Sequence, residues 1–163
     1  MAVQKKHKAV KLIRTEPSMM SFPVRLGEVV EFKNGLPGFE HITQYRFRFE
    51  DGIQPFLFMD AQDDSGVSFV CVDTFYLVPD YEINMSPELV KALEVDELED
   101  IAVFSIATVG ESVQDTTANL MSPLIVNLKS MLGEQVILEN STYPVQFHIW
   151  DALQKQKSER KTG

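Results

Sequence analysis

Tyr45-Arg-Phe-Arg-Phe49, Pro55-Phe-Leu-Phe-Met59 and Val67-Ser-Phe-Val-Cys-Val72 decide the fold class of this chain. The first stretch alternates apolar and basic residues, the period-two pattern of a half-buried strand. The other two are short apolar runs rich in aromatic and β-branched residues, bounded by polar turns. Glu50-Asp-Gly52 closes the first strand, and the polar run Asp60 to Gly66 separates the second from the third. Three strands in succession, joined by turns and no helix, point to antiparallel pairing.

Working outward, the same punctuation recurs. Val24 to Phe32 reads as a short strand pair with Gly27 as a turn, and Lys33-Asn-Gly-Leu-Pro-Gly38 is dense in turn residues. Phe75 to Val78 and Tyr81 to Ile83 read as short extended pieces around Pro79. Ser86-Pro87-Glu88 opens a helix: serine caps, proline suits the first turn and glutamate complements the dipole. Leu89 and Leu93 share its apolar face, and it ends near Val95. Ile101 to Val109 is the longest apolar run, a central strand. Pro123 to Leu128 and Gln135 to Leu138 form a final hairpin with Gly133 in the connection, and the spacing of Ile149 and Leu153 suits a short C-terminal helix. The expectation is a mostly β, compact antiparallel β-barrel-like domain with one short helix near 87–95. Strands this short, with turn signals every 8–12 residues, suit a barrel or sandwich.

The length, 163 residues, supports one domain with a sizeable core. Its organisation reads as a basic flexible N-terminal extension over 1–21, the barrel over 22–150 and a basic tail over 151–163. No apolar run approaches the roughly 18 residues that span a bilayer, so a cytoplasmic, non-membrane protein is expected. The net charge of −9 is unevenly spread. Lys5, Lys6, Lys8, Lys11 and Arg14 give the first 14 residues +5, and residues 155–163 carry +3. The body between holds 6 basic and 23 acidic residues, a net −17. Such a body repels phosphate backbones and steers basic partners toward itself; no direct nucleic-acid binding is expected.

Little in the chain suggests catalysis. His7, His41 and His148 share no ligand spacing with one another or with Cys71, the lone cysteine, which reads as a small buried hydrophobe inside a strand. Asp60, Asp63 and Asp64 lack the remainder of a calcium loop. No cofactor and no metal is expected. A pair of carboxylates, Asp80 and Glu82, could do acid/base work only if their surroundings separated their pKa values, and nothing around them suggests that.

Three constellations invite a functional reading. In Gly35-Leu-Pro-Gly-Phe-Glu40, Gly35, Pro37 and Gly38 shape a turn that lowers Phe39 into the core. Asp73 to Glu82 mixes Phe75 and Tyr81 with Asp80 and Glu82 around Pro79. Aromatic anchors rimmed by acids suit a protein-binding face, and core aromatics beside solvated acids would look the same in sequence. In Ala118-Asn-Leu-Met-Ser-Pro-Leu-Ile-Val-Asn-Leu128, Asn119 and Asn127 flank Pro123; Asn119 either fixes a loop through backbone bonds or touches a partner.

Together, in this order, the three segments resemble the FliW family of flagellar assembly factors over roughly residues 24–144. The resemblance implies a β-barrel-like fold, no catalytic residues, and two partners. These are flagellin and CsrA, a basic RNA-binding dimer that represses translation of flagellin mRNA. The implied role is to sequester CsrA until accumulating flagellin competes for the same protein. Phe75, Asp80, Tyr81, Glu82 and Asn119 are the residues to which partner binding is assigned. Two departures stand out: the basic extension, and the apolar ending Pro144-Val-Gln-Phe-His-Ile-Trp150. The other function class open to the sequence is an acidic binding module or chaperone for another bacterial client, with a small β-barrel enzyme as the remote third.

Overall fold

Alternation sets the central strands. In β3 (Gln44–Arg48), Tyr45 and Phe47 are buried while Arg46 and Arg48 face solvent. The computed structural model describes residues 9–13 and 28–161, the last two as backbone only. In chain order the other strands of the first half are β1 (Val10–Leu12), β2 (Val29–Glu31), β4 (Phe56–Ala61), β5 (Ser68–Asp73) and β6 (Ile83–Met85). The second half holds β7 (Ile101–Thr108), β8 (Thr117–Ala118), β9 (Leu124–Asn127), β10 (Leu132–Gln135) and β11 (Phe147–His148). Among the described residues there are three α-helices, α1 (Thr74–Leu77), α2 (Pro87–Ala92) and α3 (Ile149–Lys161), and two single 3-10 turns, Leu98–Asp100 and Val113–Asp115.

Seven strands close a barrel in the order β7-β5-β4-β3-β2-β10-β9, with β9 pairing back onto β7. Closure removes the open edges that an isolated sheet would present. The pairings are antiparallel except between β2 and β10, which meet in parallel at Leu132 and Glu31. Phe32, Tyr45, Phe47, Met59, Cys71, Phe104 and Val126 fill the lumen. The outer faces of β7 and β9 are also covered: Ile101, Val103 and Ile125 pack with Leu12, Tyr81, Met85 and Leu89. Burial on both faces is why β7 is apolar on both sides, with Ser105 the exception in its interior, rather than alternating.

Local chemistry explains the ends of the elements. Ser86 caps α2, its Oγ accepting the Leu89 N–H at 3.1 Å, with Pro87 at the first helical position. Asn127, 1% exposed, ties the end of α2 to the turn after β9. Its Nδ2 donates to the carbonyls of Leu93 (2.8 Å) and Glu94 (3.2 Å), and its Oδ1 accepts from Lys129 (2.9 Å) and Ser130 (3.4 Å). All four bonding positions of that buried amide are filled, the usual condition for burying one.

Four expectations change. Gly133 is not in the hairpin connection but inside β10, because a Cβ there would lie 2.7 Å from the Phe32 ring. The turn instead passes through residues 128–131. Thr74 to Leu77 is a helical turn rather than extended chain, since Asp73 caps it by accepting the Phe75 N–H at 3.0 Å. The C-terminal helix starts at Ile149 and runs far beyond Leu153, docking Ile149, Ala152 and Leu153 against Leu77 and Ala107. Finally, residues 10–12 are not a flexible extension: β1 pairs antiparallel with β6, and Leu12 is 1% exposed in the outer core. Its alternating Val10-Lys-Leu12 is long enough to seat one apolar side chain and pair its backbone. The rest of the N-terminal segment assigned to that extension, and the turn at Gly27, lie outside the described residues apart from Ala9 and Ile13.

Candidate partner-binding surface

The segment 73–82 is built by alternation around Pro79. Phe75 and Tyr81 are fully buried, and Asp80 and Glu82 are exposed. The Phe75 and Tyr81 rings meet edge to face at 6.0 Å, and Tyr81 lies 4.3 Å from Tyr143 in a tilted stack. The Tyr81 hydroxyl donates to the Leu120 carbonyl, and burial raises its pKa further above the ordinary phenol range. Tyr143 Oη accepts the Glu82 N–H at 2.9 Å. These contacts join the second and third sequence constellations, which lie about forty residues apart. They also correct the assignment of Phe75 and Tyr81 as partner anchors. A ring with no exposed surface, whose hydroxyl is already bonded, holds the fold together and offers nothing to a partner.

Asn119 braces its own loop. Its Oδ1 accepts the Met121 N–H (3.1 Å) and the Ser122 N–H (3.0 Å), and its own N–H donates to the Ile106 carbonyl (3.0 Å). That geometry leads the loop into buried Pro123, whose carbonyl accepts the Val136 N–H at 3.0 Å. In the first constellation, Gly35 has φ +65°, and a Cβ on it would lie 2.6 Å from the Glu40 Cα. Gly38, at φ +84°, gives its N–H to Glu40 Oε1 at 3.1 Å, which lowers that carboxyl's pKa. Pro37 sits exposed at the tip, and Phe39 packs edge to face on Phe69 at 5.2 Å. This turn is structural.

What remains at the surface is acid. Asp80 is exposed, and Glu82 holds Lys11 of β1 at 3.1 Å. Both carboxylates stand in solvent. Next to Glu82 runs a groove whose two parts, of about 310 and 380 Å³, share Asn84, Ile137 and Leu138 in their lining. Glu82, Glu88, Glu134 and Glu139 also line it, and Ile137 is 58% exposed. Reading the sequence for aromatic anchors misses this groove. The signal that finds it is the apolar triplet Val136-Ile-Leu138: an extended chain alternates its side chains, so one of three must face out. Among the described residues no group of three or more His, Cys, Asp or Glu is placed to hold a metal ion, and no helix is long and apolar enough to cross a membrane.

Comparison with known proteins gives the arrangement a context. The family model described as FliW protein matches residues 15–149. The chain belongs to the FliW family. The flagellar assembly factor FliW of Alkaliphilus metalliredigens is 33% identical over 133 residues, covering 81% of this chain and 82% of that relative. That of Ruminiclostridium cellulolyticum is 35% identical over 131 residues, covering 80% and 88%. A crystal structure of the flagellar assembly factor FliW superposes with a TM-score of 0.70 at 31% identity, over 74% of this chain and 84% of that one. The FliW family is one of flagellar assembly factors and not an enzyme family, and its β-barrel is the fold found here.

Proposed function

We propose that this FliW-family protein acts in the cytoplasm by binding flagellin and the translational repressor CsrA, so that unexported flagellin restores CsrA repression of its own mRNA. The observation that carries the CsrA half is electrostatic. The body between the two basic termini bears a net −17, and the carboxylates around the groove stand at the surface. A basic dimer approaching such a field is accelerated and oriented before contact. The flagellin half rests on family membership, with the exposed apolar side chain of Ile137 as a local contact for an apolar segment.

The test is a competition. Purified protein immobilised on resin is loaded with CsrA and then challenged with monomeric flagellin. Release of CsrA in proportion to flagellin added is the expected result. Retention of neither protein would sink the reading and leave an acidic binding module for a different client.

A further inference from the structure

Two strand edges face one groove with backbone groups that have no partner among the described residues. The first edge is β6. It pairs with β1 through Val10↔Met85 and Leu12↔Ile83. Its neighbour Glu82 turns the other way, giving its N–H to Tyr143 Oη. Backbone groups alternate sides along a strand. Asn84 therefore directs its N–H and C=O with those of Glu82, away from β1. The second edge is the chain after β10. Val136 and Leu138 donate to the carbonyls of Pro123 (3.0 Å) and Met121 (2.8 Å). Ile137, between them, points its N–H and C=O the opposite way, and makes no backbone hydrogen bond among the described residues. Asn84 and Ile137 line both parts of the groove.

We propose that this groove is a strand-addition site, taking an extended segment of a partner protein in which apolar and basic residues alternate. Such a segment would bond Asn84 on one side and Ile137 on the other, joining β6 to the 136–138 edge as one continuous sheet. Alternation sorts its side chains. Apolar ones meet Leu138 and Leu89 on the groove wall, and basic ones meet Glu82, Glu88, Glu134 and Glu139. Among the described residues that line the groove none is basic, so the charge complementarity selects a cationic strand over an anionic one. The β1 strand, Val-Lys-Leu with Lys11 on Glu82, already has this pattern on the far edge of β6. The inference rests on reading the protein as a binding protein, and adds the backbone shape of what it binds.

The probe is the peptide acetyl-(Val-Lys)4-amide, titrated into the full chain while amide hydrogen exchange is followed by nuclear magnetic resonance. The expected result is saturable binding with exchange at Asn84 and Ile137 slowed about tenfold or more, the mark of about 1.4 kcal/mol of added protection. Two isomers N-methylated along one or the other peptide edge should each bind at least about tenfold more weakly, since each removes the hydrogen bonds to one wall. The glutamate peptide acetyl-(Val-Glu)4-amide should not bind. Because the peptide is altered and not the protein, loss of fold cannot mimic the result. Binding of both methylated isomers as tight as that of the unmethylated peptide would overturn the proposal in favour of a purely electrostatic face. Loss with one isomer alone would reduce it to a single edge and refute insertion. Protection of both amides without peptide, constant or rising with protein concentration, would show the groove filled by the chain itself or by a second copy. Any of these can occur while CsrA and flagellin still bind, so failure here is separate from failure of the proposed function.

Discussion

The segment Asp73 to Glu82 and the segment Gln135 to Glu139 have exchanged the parts that composition would assign them. The first carries aromatic residues between acids and looks like a sticky face, yet Phe75 and Tyr81 are sealed in the outer core. The second is a run of aliphatic residues that looks like core, yet Ile137 is more than half exposed. Element geometry makes the difference. The cap at Asp73 winds the first segment into a helical turn, and Pro79 then swings Tyr81 back under Leu120 and Tyr143. The second stays extended and is paired on one edge only, so its middle side chain has nowhere to go but out. Surface chemistry in this molecule follows register more than residue type.

The harshest way to break that contrast is Tyr81→Ala. If Tyr81 is core, its loss should destabilise the protein by about 3–5 kcal/mol, the range for truncating a buried aromatic. Tyr81→Phe should cost less, about 1–3 kcal/mol, by leaving the buried Leu120 carbonyl unpartnered. Urea denaturation followed by circular dichroism reads both. A folded Tyr81→Ala variant of near wild-type stability would return the aromatic pair to the surface.

The core should also resist addition. Gly133 sits under Phe32, which is fully buried and packed edge to face on Tyr45 at 5.6 Å. Gly133→Ala places a methyl 2.7 Å from ring carbons that cannot retreat, and should cost about 1–3 kcal/mol by overpacking. An unchanged denaturation midpoint would mean that the β2–β10 contact is looser than described.

The strands and the Ser86 cap are legible in the sequence because they depend on nearest neighbours: Arg46 and Arg48 beside Tyr45 and Phe47, or serine before proline. Gly133 is misread because its reason, the Phe32 ring, lies a hundred residues away. Tyr81 and Phe75 are misread for a similar cause. Aromatic residues among acids have two solutions, and the choice is made by Leu120 and Tyr143 in loops far along the chain. Asn119 is legible as a loop-fixing residue because its hydrogen bonds are local, to Met121 and Ser122. The groove is visible only in the triplet at Val136, and its charge only as part of a body-wide excess. The pairing of β1 with β6 escapes altogether, since three residues carry no periodicity.

Burial of the lumen can be sharpened through pH. The Cys71 thiol is fully buried, and desolvation pushes its pKa from 9.0 up to about 12. The folded protein then keeps a proton that the unfolded chain releases, so the associated stability is whole below pH 9 and falls as pH rises toward 12. Between pH 8 and 10 this one group should remove about 1.4 kcal/mol. Cys71→Ala should lower stability at pH 7 by a small, pH-independent amount and flatten the decline by that much. Tyr81 is common to both proteins and cancels in the difference. Parallel slopes for wild type and variant would mean that the thiol is hydrated.

The smallest effect on stability belongs to the rim. Asp80 and Glu82 flank Tyr81 in sequence but stand in water, and the Glu82 carboxylate holds an exposed ion pair with Lys11. Such a pair contributes about 0–1 kcal/mol, so Asp80→Asn with Glu82→Gln should shift the folding free energy by about 0.5 kcal/mol or less. Association with a basic partner is another matter. Two fewer negative charges on the acidic body, one of them at the groove, weaken long-range attraction, which is screened over about 8 Å at physiological ionic strength. Stopped-flow mixing with CsrA should therefore show slower association of the double variant at low salt, with the two rates converging as salt rises. Dissociation should change less, because rim charges act mainly before contact. Equal association rates at every salt concentration would place the steering field elsewhere on the acidic body. A marked loss of stability would instead make these acids part of the scaffold, and the contrast between the buried and exposed halves of this segment would fail.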